Sequence, residues 1–544
     1  MMRNKMLKIA AVLLIFVSGM ATTVLTEKNR HFEILKNIEI FANVYREVNT
    51  NYVDEIDPGQ FMRTGIDAMV GSLDPFTNYI SESDIEGYRF MTEGKYHGIG
   101  AVSEVHGDYV TITSLYKDQP ADKAGLKVGD QIVAVDGESA KGKSMDDFNL
   151  IIKGFPGTSV KLTIKRPGTP KNFDINLVRG EVNVENVPYY GMVTKDIGYI
   201  ALTVFTQDAG RNIANAYKEL KEKNPEMQGL ILDLRGNGGG LLREAVNICN
   251  IFIPKDELVV STRGKVKDWD RSFKTTGDPV DLKIPLTILI NKNSASASEI
   301  VSGVMQDYDR GVLLGQRSYG KGLVQNTMDV GYNSKVKITT AKYYIPSQRC
   351  IQSVEYKDGE PVQIADELRA KFATKNGRVV LDGGGVKPDV FIEGPTKGVL
   401  KGLVDEKLIF DFVTEYVLKI DSIETIEDYH FTGFDQFVSF LEAKDYKFDL
   451  DSEKLLKKLG EKAKEDGFSL NGELTALENK MRTSKKEEVM KYKEDIIAMI
   501  EKEIATRFYY QEGEIKMGLR NDKEVKEAVA LLKDLDRYNK LLGK

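Results

Sequence analysis

The chain has 544 residues, of which 41% are hydrophobic and 29% charged, so it is long enough for three or four domains and has an ordinary globular composition. Its formal net charge of −6 excludes the basic footprint of a nucleic-acid-binding protein. Two cysteines exclude a disulfide scaffold, and neither has metal-ligand spacing to a histidine, so we expect no metal site and no cofactor.

The N-terminus has the features of an export segment. Arg3, Lys5 and Lys8 precede an apolar run from Ile9 to Leu25. This run is slightly shorter than the roughly 20 residues of a comfortable membrane span. Residues 1–28 are therefore interpreted as a signal peptide or a retained membrane anchor, and the sequence leaves both open. We expect membrane contact through this segment only.

Residues 29–91 have a helical pattern. Apolar residues recur at helical spacing from Phe32 to Phe41, and a turn at Asp57–Gly59 precedes a second helix over Phe61–Leu73. We expect a helical hairpin that dimerises, packs on the body or fills space. It offers a surface for a homodimer or a higher oligomer.

Residues 92–180 change to short strands and turns. The element Ala124–Asp130 reads Ala-Gly-Leu-x-x-Gly-Asp and leads into a strand, Gln131–Val135, in an order that resembles a PDZ domain. In such a domain a peptide adds a strand, and backbone amides hold its terminal carboxylate. The alternative is that the glycines here serve only a tight turn. The candidate carboxylate-binding residues are Gly98, Ile99, Gly100 and Ala101.

Residues 181–394 alternate strands and helices. The apolar strand Leu230–Leu234 runs into a glycine-rich stretch, Arg235–Gly240, and a helix begins at Leu242. In a strand, glycine loop and helix, backbone amides can face an anion, as in half of an oxyanion hole. A dinucleotide site is the rival interpretation, but the glycine spacing does not fit G-x-G-x-x-G.

A serine-rich turn and an isolated lysine suggest hydrolytic chemistry. The apolar run Pro285–Ile290 ends at Asn293–Glu299, which contains three serines, and Lys321 follows between two glycines. A serine hydroxyl becomes a nucleophile when a base takes its proton, and a lysine with a depressed pKa can do this. None of the four histidines lies nearby in sequence. The alternative is a capping box of Ser296 and Glu299, which is compatible with a nucleophile at a helix start.

Residues 395–544 are rich in lysine and glutamate and have a helical pattern. Heptad order is not sustained, so a coiled coil is not predicted. We expect a solvated helical appendage.

These motifs occur together in an order that resembles the carboxyl-terminal processing peptidases, also called tail-specific proteases, over roughly residues 35–392. The resemblance implies a multidomain fold with α/β and β parts. Its core is a crotonase- or ClpP-like α/β serine protease with an inserted PDZ domain, an N-terminal helical hairpin and a C-terminal helical extension. The segments that carry the resemblance are the PDZ-like block, 230–240, 294–299, 319–325, 341–347 and 384–390.

The resemblance also implies roles for individual residues. Ser296 matches the nucleophile and Lys321 the general base. Gln325, one helical turn's worth of residues after Lys321, matches a residue that orients the lysine, and Asp307 matches a position with a supporting role in some members. We expect the oxyanion donors to be the amide of Ala297 and those of Gly238 and Gly239. Arg166 is a candidate for gating by the PDZ domain.

The leading hypothesis is an exported serine endopeptidase, in the periplasm or on the outer face of the inner membrane of a bacterial cell envelope. It would bind protein or peptide substrates with free apolar C-termini, with an adaptor or activator protein as a further candidate partner and no nucleic acid. One alternative is a catalytically inactive PDZ scaffold that binds protein C-termini in the cell envelope. Another is an acyl-transfer enzyme, because related α/β folds stabilise oxyanions with similar glycine amides.

Overall fold

The computed structural model describes residues 30–544, except for residues 153, 353–354, 358–359, 363, 395–397, 445, 447 and 449. The predicted leader, residues 1–28, lies outside the described residues. The chain divides into two compact units, one that ends at Tyr79 and one that runs from Ile80 to Lys544. No helix within the described residues is both long and apolar enough to cross a membrane.

The first unit contains the predicted pair of helices. Asp57 caps the second helix, because its carboxylate accepts a hydrogen bond from the Gln60 N–H at 2.9 Å. The rings of Tyr45 and Phe61 stack with their centroids 5.7 Å apart and join the two helices into a hairpin. The elements are α1 (residues 30–51), α2 (Pro58–Gly71) and a strand that reaches the start of the second unit, β1 (Asn78–Ile80).

The second unit begins with a small antiparallel sheet, ordered β3-β4-β5-β7-β8 with β6 paired to β5. Its inner face is fully buried, as at Val110, Ile112, Leu162 and Ile164, and along β7 the buried residues alternate with more exposed ones. Strands β2 and β9, which flank this sheet in sequence, pair with each other. The elements are α3 (Ile85–Glu93), β2 (Lys95–Gly98), β3 (Ala101–His106), β4 (Tyr109–Leu115), α4 (Pro120–Lys123), β5 (Gln131–Val135), β6 (Glu138–Ser139), α5 (Met145–Ile152), β7 (Ser159–Lys165), β8 (Phe173–Val178) and β9 (Gly180–Asn183).

The α/β body is built on a sheet ordered β10-β11-β12-β15-β16-β23, parallel except for β10. Its central strands are buried along their whole length, as expected for a sheet covered on both faces. A second, antiparallel sheet pairs β17 with β18, β18 with β13 and β13 with β14.

The elements of the body are β10 (Tyr189–Met192), β11 (Ile197–Ala201), α6 (Ala209–Lys223), β12 (Gly229–Asp233), α7 (Leu242–Phe252), β13 (Leu258–Gly264), β14 (Arg271–Lys274), β15 (Leu286–Ile290), α8 (Ala297–Asp307), β16 (Val312–Gly315), β17 (Leu323–Gly331), β18 (Ser334–Tyr344), β19 (Glu355–Lys357), β20 (Glu360–Val362), β21 (Lys371–Ala373), β22 (Val379–Leu381) and β23 (Val390–Phe391). The multidomain α/β and β architecture predicted from the sequence is confirmed.

The C-terminal helices are not a solvated appendage, and this part of the prediction is wrong. They enclose an aromatic core in which the Phe412 ring packs edge-on against Phe437, with centroids 5.1 Å apart. Leu531 and Leu532 of α15 also pack with Ile231 on the main sheet. The elements are α9 (Val399–Asp405), α10 (Leu408–Tyr416), α11 (Phe434–Ala443), α12 (Asp451–Glu465), α13 (Asn471–Lys491), α14 (Lys493–Leu519), α15 (Lys523–Lys533) and α16 (Leu535–Leu541).

Candidate active site

The candidate site lies where two parallel strands end at the same edge of the main sheet. Strand β12 leads into the glycine loop, residues 234–240, and its neighbour β15 leads into the serine turn, residues 291–296. The Ala295 N–H donates to the Asn237 carbonyl oxygen at 3.0 Å, so the loop and the turn are bonded to each other. The strand order therefore brings together two motifs that are far apart in sequence.

Ser296 differs from the two serines beside it. Ser294 and Ser298 are completely buried, and their hydroxyls donate to the carbonyl oxygens of Leu234 and Asn237, each at 2.8 Å. Ser296 is only half-buried. Its backbone has φ 55° and ψ −111°, which side-chain-bearing residues rarely adopt and which costs on the order of 1–3 kcal/mol. The surrounding structure thus holds Ser296 in a strained conformation of the kind found at active sites.

Glu299 joins the serine turn to the lysine loop, residues 318–322. Its buried carboxylate accepts hydrogen bonds from the N–H groups of Ser296 and Lys321, each at 2.8 Å. It also accepts from the Ser318 hydroxyl and the Gly320 N–H, each at 2.6 Å. The Glu299 half of the expected capping box is therefore present. The contacts with the lysine loop were missed, because the Ser-x-x-Glu spacing indicates only the local bond.

Tyr343 connects the same two segments from the side of the second sheet. Its hydroxyl lies 2.7 Å from the Lys321 carbonyl oxygen and 3.2 Å from the Ser296 carbonyl oxygen. Burial raises the pKa of Tyr343 far above its usual value near 10, so the hydroxyl stays a neutral donor. Sequence reasoning noted the stretch around Tyr343 but gave this residue no role.

The expected oxyanion donors differ in their hydrogen bonds. The N–H groups of Ala297 and Gly238 donate to no acceptor among the described residues. The expectation for Gly239 requires correction, because its N–H already donates to Asn237 Oδ1 at 2.9 Å. Gly239 instead permits close packing, since a Cβ at this position would lie 2.8 Å from Ser296 Cβ.

Asn237 holds the glycine loop in place, a role that sequence reasoning missed. Its side chain is fully buried, and its Nδ2 donates to the Leu202 carbonyl oxygen at 2.8 Å. Its Oδ1 and its carbonyl oxygen accept the bonds from Gly239 and Ala295 described above. An asparagine within a glycine run is typical of any turn, so the sequence carried no signal for this function.

Gln325 and Asp307 lie in surroundings that the sequence did not anticipate. Gln325 is in strand β17 rather than a helical turn, and its Nε2 donates to Thr339 Oγ1 at 3.2 Å.

Asp307 is buried at the end of α8, with its Oδ1 3.0 Å from Arg349 Nη2. Its Oδ2 accepts the Ser347 N–H at 2.9 Å. The observed contacts of Asp307 are structural. The described residues contain no cluster of His, Cys, Asp and Glu side chains that could hold a metal ion.

The candidate carboxylate-binding residues, Gly98–Ala101, connect β2 to β3. The backbone N–H groups of Gly100 and Ala101 lower the pKa of the Tyr96 phenol, against the larger effect of its burial, so this phenol lies near both amides. The Tyr96 ring also lies against Gly98, where a Cβ would be 2.7 Å from its Cε2 atom. Burial raises the pKa of Tyr96, so its hydroxyl is neutral at physiological pH. A tyrosine of the same chain thus lies beside two of the amides expected to face a peptide terminus.

Arg166 is engaged within the small sheet. Its Nε and Nη2 lie 2.7 Å from the two carboxylate oxygens of Asp130, and Nη2 also donates to the Gly125 carbonyl oxygen at 2.8 Å. Its guanidinium stacks 5.1 Å above the centre of the Phe173 ring. The gating role stays a prediction.

Three family models match the chain. They describe peptidase family S41 over residues 196–359, a PDZ domain over residues 111–166, and the C-terminal helical domain of a probable PDZ-protease over residues 399–532. The third match agrees with the folded core of the C-terminal helices.

Relatives and a solved structure are similar over most of their length. The chain is 36% identical over 360 residues to a carboxy-terminal-processing protease of Bartonella bacilliformis, covering 65% of this chain and 81% of the relative. It is 30% identical over 367 residues to carboxy-terminal processing protease CtpB of Bacillus subtilis, covering 64% and 75%. The solved photosystem II D1 C-terminal processing protease is 26% identical, with a TM-score of 0.36 over 65% of this chain and 92% of that one.

Proposed function

The chain belongs to the carboxy-terminal-processing proteases of peptidase family S41, serine-type peptidases that act on peptides or proteins, and we propose that Ser296 and Lys321 are its catalytic dyad. The main support for this proposal is the conformation of the serine turn and its contacts. Ser296 is half-buried, strained and in contact with the glycine loop, and the Glu299 carboxylate accepts hydrogen bonds from its N–H and from that of Lys321.

In the proposed reaction, Lys321 acts in its neutral form. It takes the proton of Ser296 Oγ as this oxygen attacks the carbonyl carbon of the substrate. The carbonyl electron pair moves to oxygen, which the N–H groups of Ala297 and Gly238 stabilise. Such donors are typically worth about 100- to 1,000-fold in rate each. Lys321 then returns the proton to the leaving nitrogen, and the C–N bond breaks to give an acyl-enzyme.

Water completes the cycle. Neutral Lys321 takes a proton from a water molecule, whose oxygen attacks the ester carbonyl. The same two N–H groups stabilise the second oxyanion, and Ser296 leaves with the proton that Lys321 holds. Gln325 remains a candidate for orienting Lys321, through the strand that follows the lysine loop.

The PDZ domain is proposed to bind apolar C-termini of substrates at Gly98–Ala101. Strand addition supplies the main-chain bonds, and backbone amides hold the carboxylate. We also propose that the enzyme acts outside the cytoplasm, exported by residues 1–28. An activator protein and a homodimer through the helical hairpin are part of the same proposal.

The test is cleavage of an unstructured reporter that ends in apolar residues, beside the same reporter ending in two aspartates. Wild-type, Ser296→Ala and Lys321→Ala proteins are compared, with Lys292→Ala as the control, because Lys292 is an exposed lysine in the serine turn. We expect loss of cleavage in the first two variants only, and a preference for the apolar tail. Wild-type turnover by Ser296→Ala would remove the assignment of the nucleophile.

A further inference from the structure

The carboxylate of Glu299 occupies an unusual position between the two proposed catalytic residues. Glu299 lies in the first turn of α8 and is completely buried. A single oxygen, Oε2, accepts the N–H of Ser296 and the N–H of Lys321, each at 2.8 Å. The other oxygen, Oε1, accepts the Ser318 hydroxyl and the Gly320 N–H at 2.6 Å.

These contacts exceed what a helix cap requires. A cap needs one acceptor for an amide in its own first turn, whereas three of the four donors here come from the lysine loop. The Tyr343 hydroxyl contacts the carbonyl oxygens of Ser296 and Lys321. The Glu299 carboxylate therefore holds the backbone N–H of both catalytic residues, and the single O–H of Tyr343 donates mainly to the nearer carbonyl oxygen, that of Lys321 at 2.7 Å.

We propose that Glu299, in its ionised form, is a positioning residue that sets the separation of Ser296 from Lys321. This inference rests on the proposed function, because it assigns Glu299 a role only if these two residues perform the reaction. An ionised carboxylate accepts four hydrogen bonds and carries no proton. A protonated carboxyl would bring a donor into a site that already has four donors, so at least one of these bonds would break.

The ionisation of Glu299 falls in an accessible pH range. Burial raises the pKa of Glu299 to about 7, although the four hydrogen bonds act in the opposite direction. The titratable side chain that acts on it is Tyr343 from β18, which stays neutral, whereas Lys321 of the lysine loop contacts it through its backbone N–H. As the pH falls through about 7, Glu299 gains a proton and at least one of its four bonds to the serine turn and the lysine loop is lost. Activity should therefore decline on the acid side through two groups, Glu299 and Lys321.

The experiment compares kcat and KM between pH 5 and 9 for wild-type, Glu299→Gln, Glu299→Asp and Ser296→Ala proteins. The matched control is Glu244→Gln, because Glu244 is also a buried carboxylate in a first helical turn that accepts a backbone N–H, from Gly210 at 2.8 Å. Thermal unfolding is measured for every variant. Glu299→Asp keeps the negative charge on a shorter side chain. It replaces Glu299→Gln as the test variant if the glutamine variant does not fold.

We expect Glu299→Gln to lower kcat about 100-fold with little change in KM, since displacement of a catalytic group by about 1 Å costs roughly this much. On the acid side, the pH dependence of kcat for this variant should also reflect one titrating group instead of two. Replacing a residue with a merely structural role would not change this pH dependence. Wild-type kcat and an unchanged pH profile in Glu299→Gln, with Ser296→Ala inactive, would overturn the positioning role and leave the proposed function standing. Full activity in Ser296→Ala would instead overturn the proposed function, and the Glu299 proposal with it.

Discussion

Replacing Gly239 with alanine tests the packing of the glycine loop against Ser296. The added methyl group would lie 2.7 Å from the Ala295 carbonyl oxygen, 2.8 Å from Ser296 Cβ and 2.9 Å from the Ala297 nitrogen. These distances are roughly 1 Å shorter than the optimal carbon contact of about 3.5–4.0 Å. One of the two segments must therefore move, and both carry parts of the proposed site.

The expected cost has two sources. The φ of +99° at Gly239 is unfavourable for alanine, at about 1–3 kcal/mol, and overpacking typically costs about 1–3 kcal/mol. The free energy of unfolding should fall by about 2–6 kcal/mol. Because the displaced segments hold the proposed nucleophile and the proposed oxyanion donors, kcat should fall about 100-fold or more in the fraction that stays folded.

The matched control for this prediction is Gly238→Ala. A Cβ at Gly238 meets nothing within 4 Å, its φ is not positive, and alanine keeps the N–H proposed as an oxyanion donor. We expect a change in stability of at most about 0.5 kcal/mol. Urea unfolding and reporter cleavage are the measurements. Equal effects of the two substitutions, or no effect of Gly239→Ala, would refute the described packing.

Two further predictions concern other parts of the second unit. Tyr96→Phe removes the hydroxyl that lies beside the Gly100 and Ala101 amides and could compete with a peptide carboxylate for them. The affinity for a peptide with an apolar C-terminus, measured by fluorescence anisotropy, should therefore increase; unchanged or weaker binding would contradict this. Arg235→Ala removes the cation shared by the carboxylates of Asp233 and Asp522 and should lower the free energy of unfolding by about 3–5 kcal/mol. The control is Lys533→Ala, which removes a half-exposed ion pair and should cost at most about 1 kcal/mol. A loss of similar size in both variants would show that the buried pairing of Arg235 is not special.

Local patterns were enough to predict much of the body of the protein. An apolar run followed by glycines or small polar residues predicts a buried strand and a loop, because both features depend on neighbouring residues. The strands before the glycine loop and the serine turn were placed in this way, and α7 begins at Leu242 as expected. The C-terminal helices were also predicted, but not their aromatic core. Their lysine and glutamate content concealed apolar faces that bury only when several helices meet.

The sequence by itself determined which residues could perform the chemistry, because nucleophile, base and glycine amides are properties of residue type and spacing. Tertiary structure decided how they are held. Glu299 appeared as a local cap, and only the fold brings Gly320 and Lys321 to its carboxylate. The sequence could not distinguish Gly238 from Gly239 as a donor, since the answer depends on where the Asn237 side chain points. Contacts between residues far apart in the chain follow from strand order and packing, which no local pattern specifies.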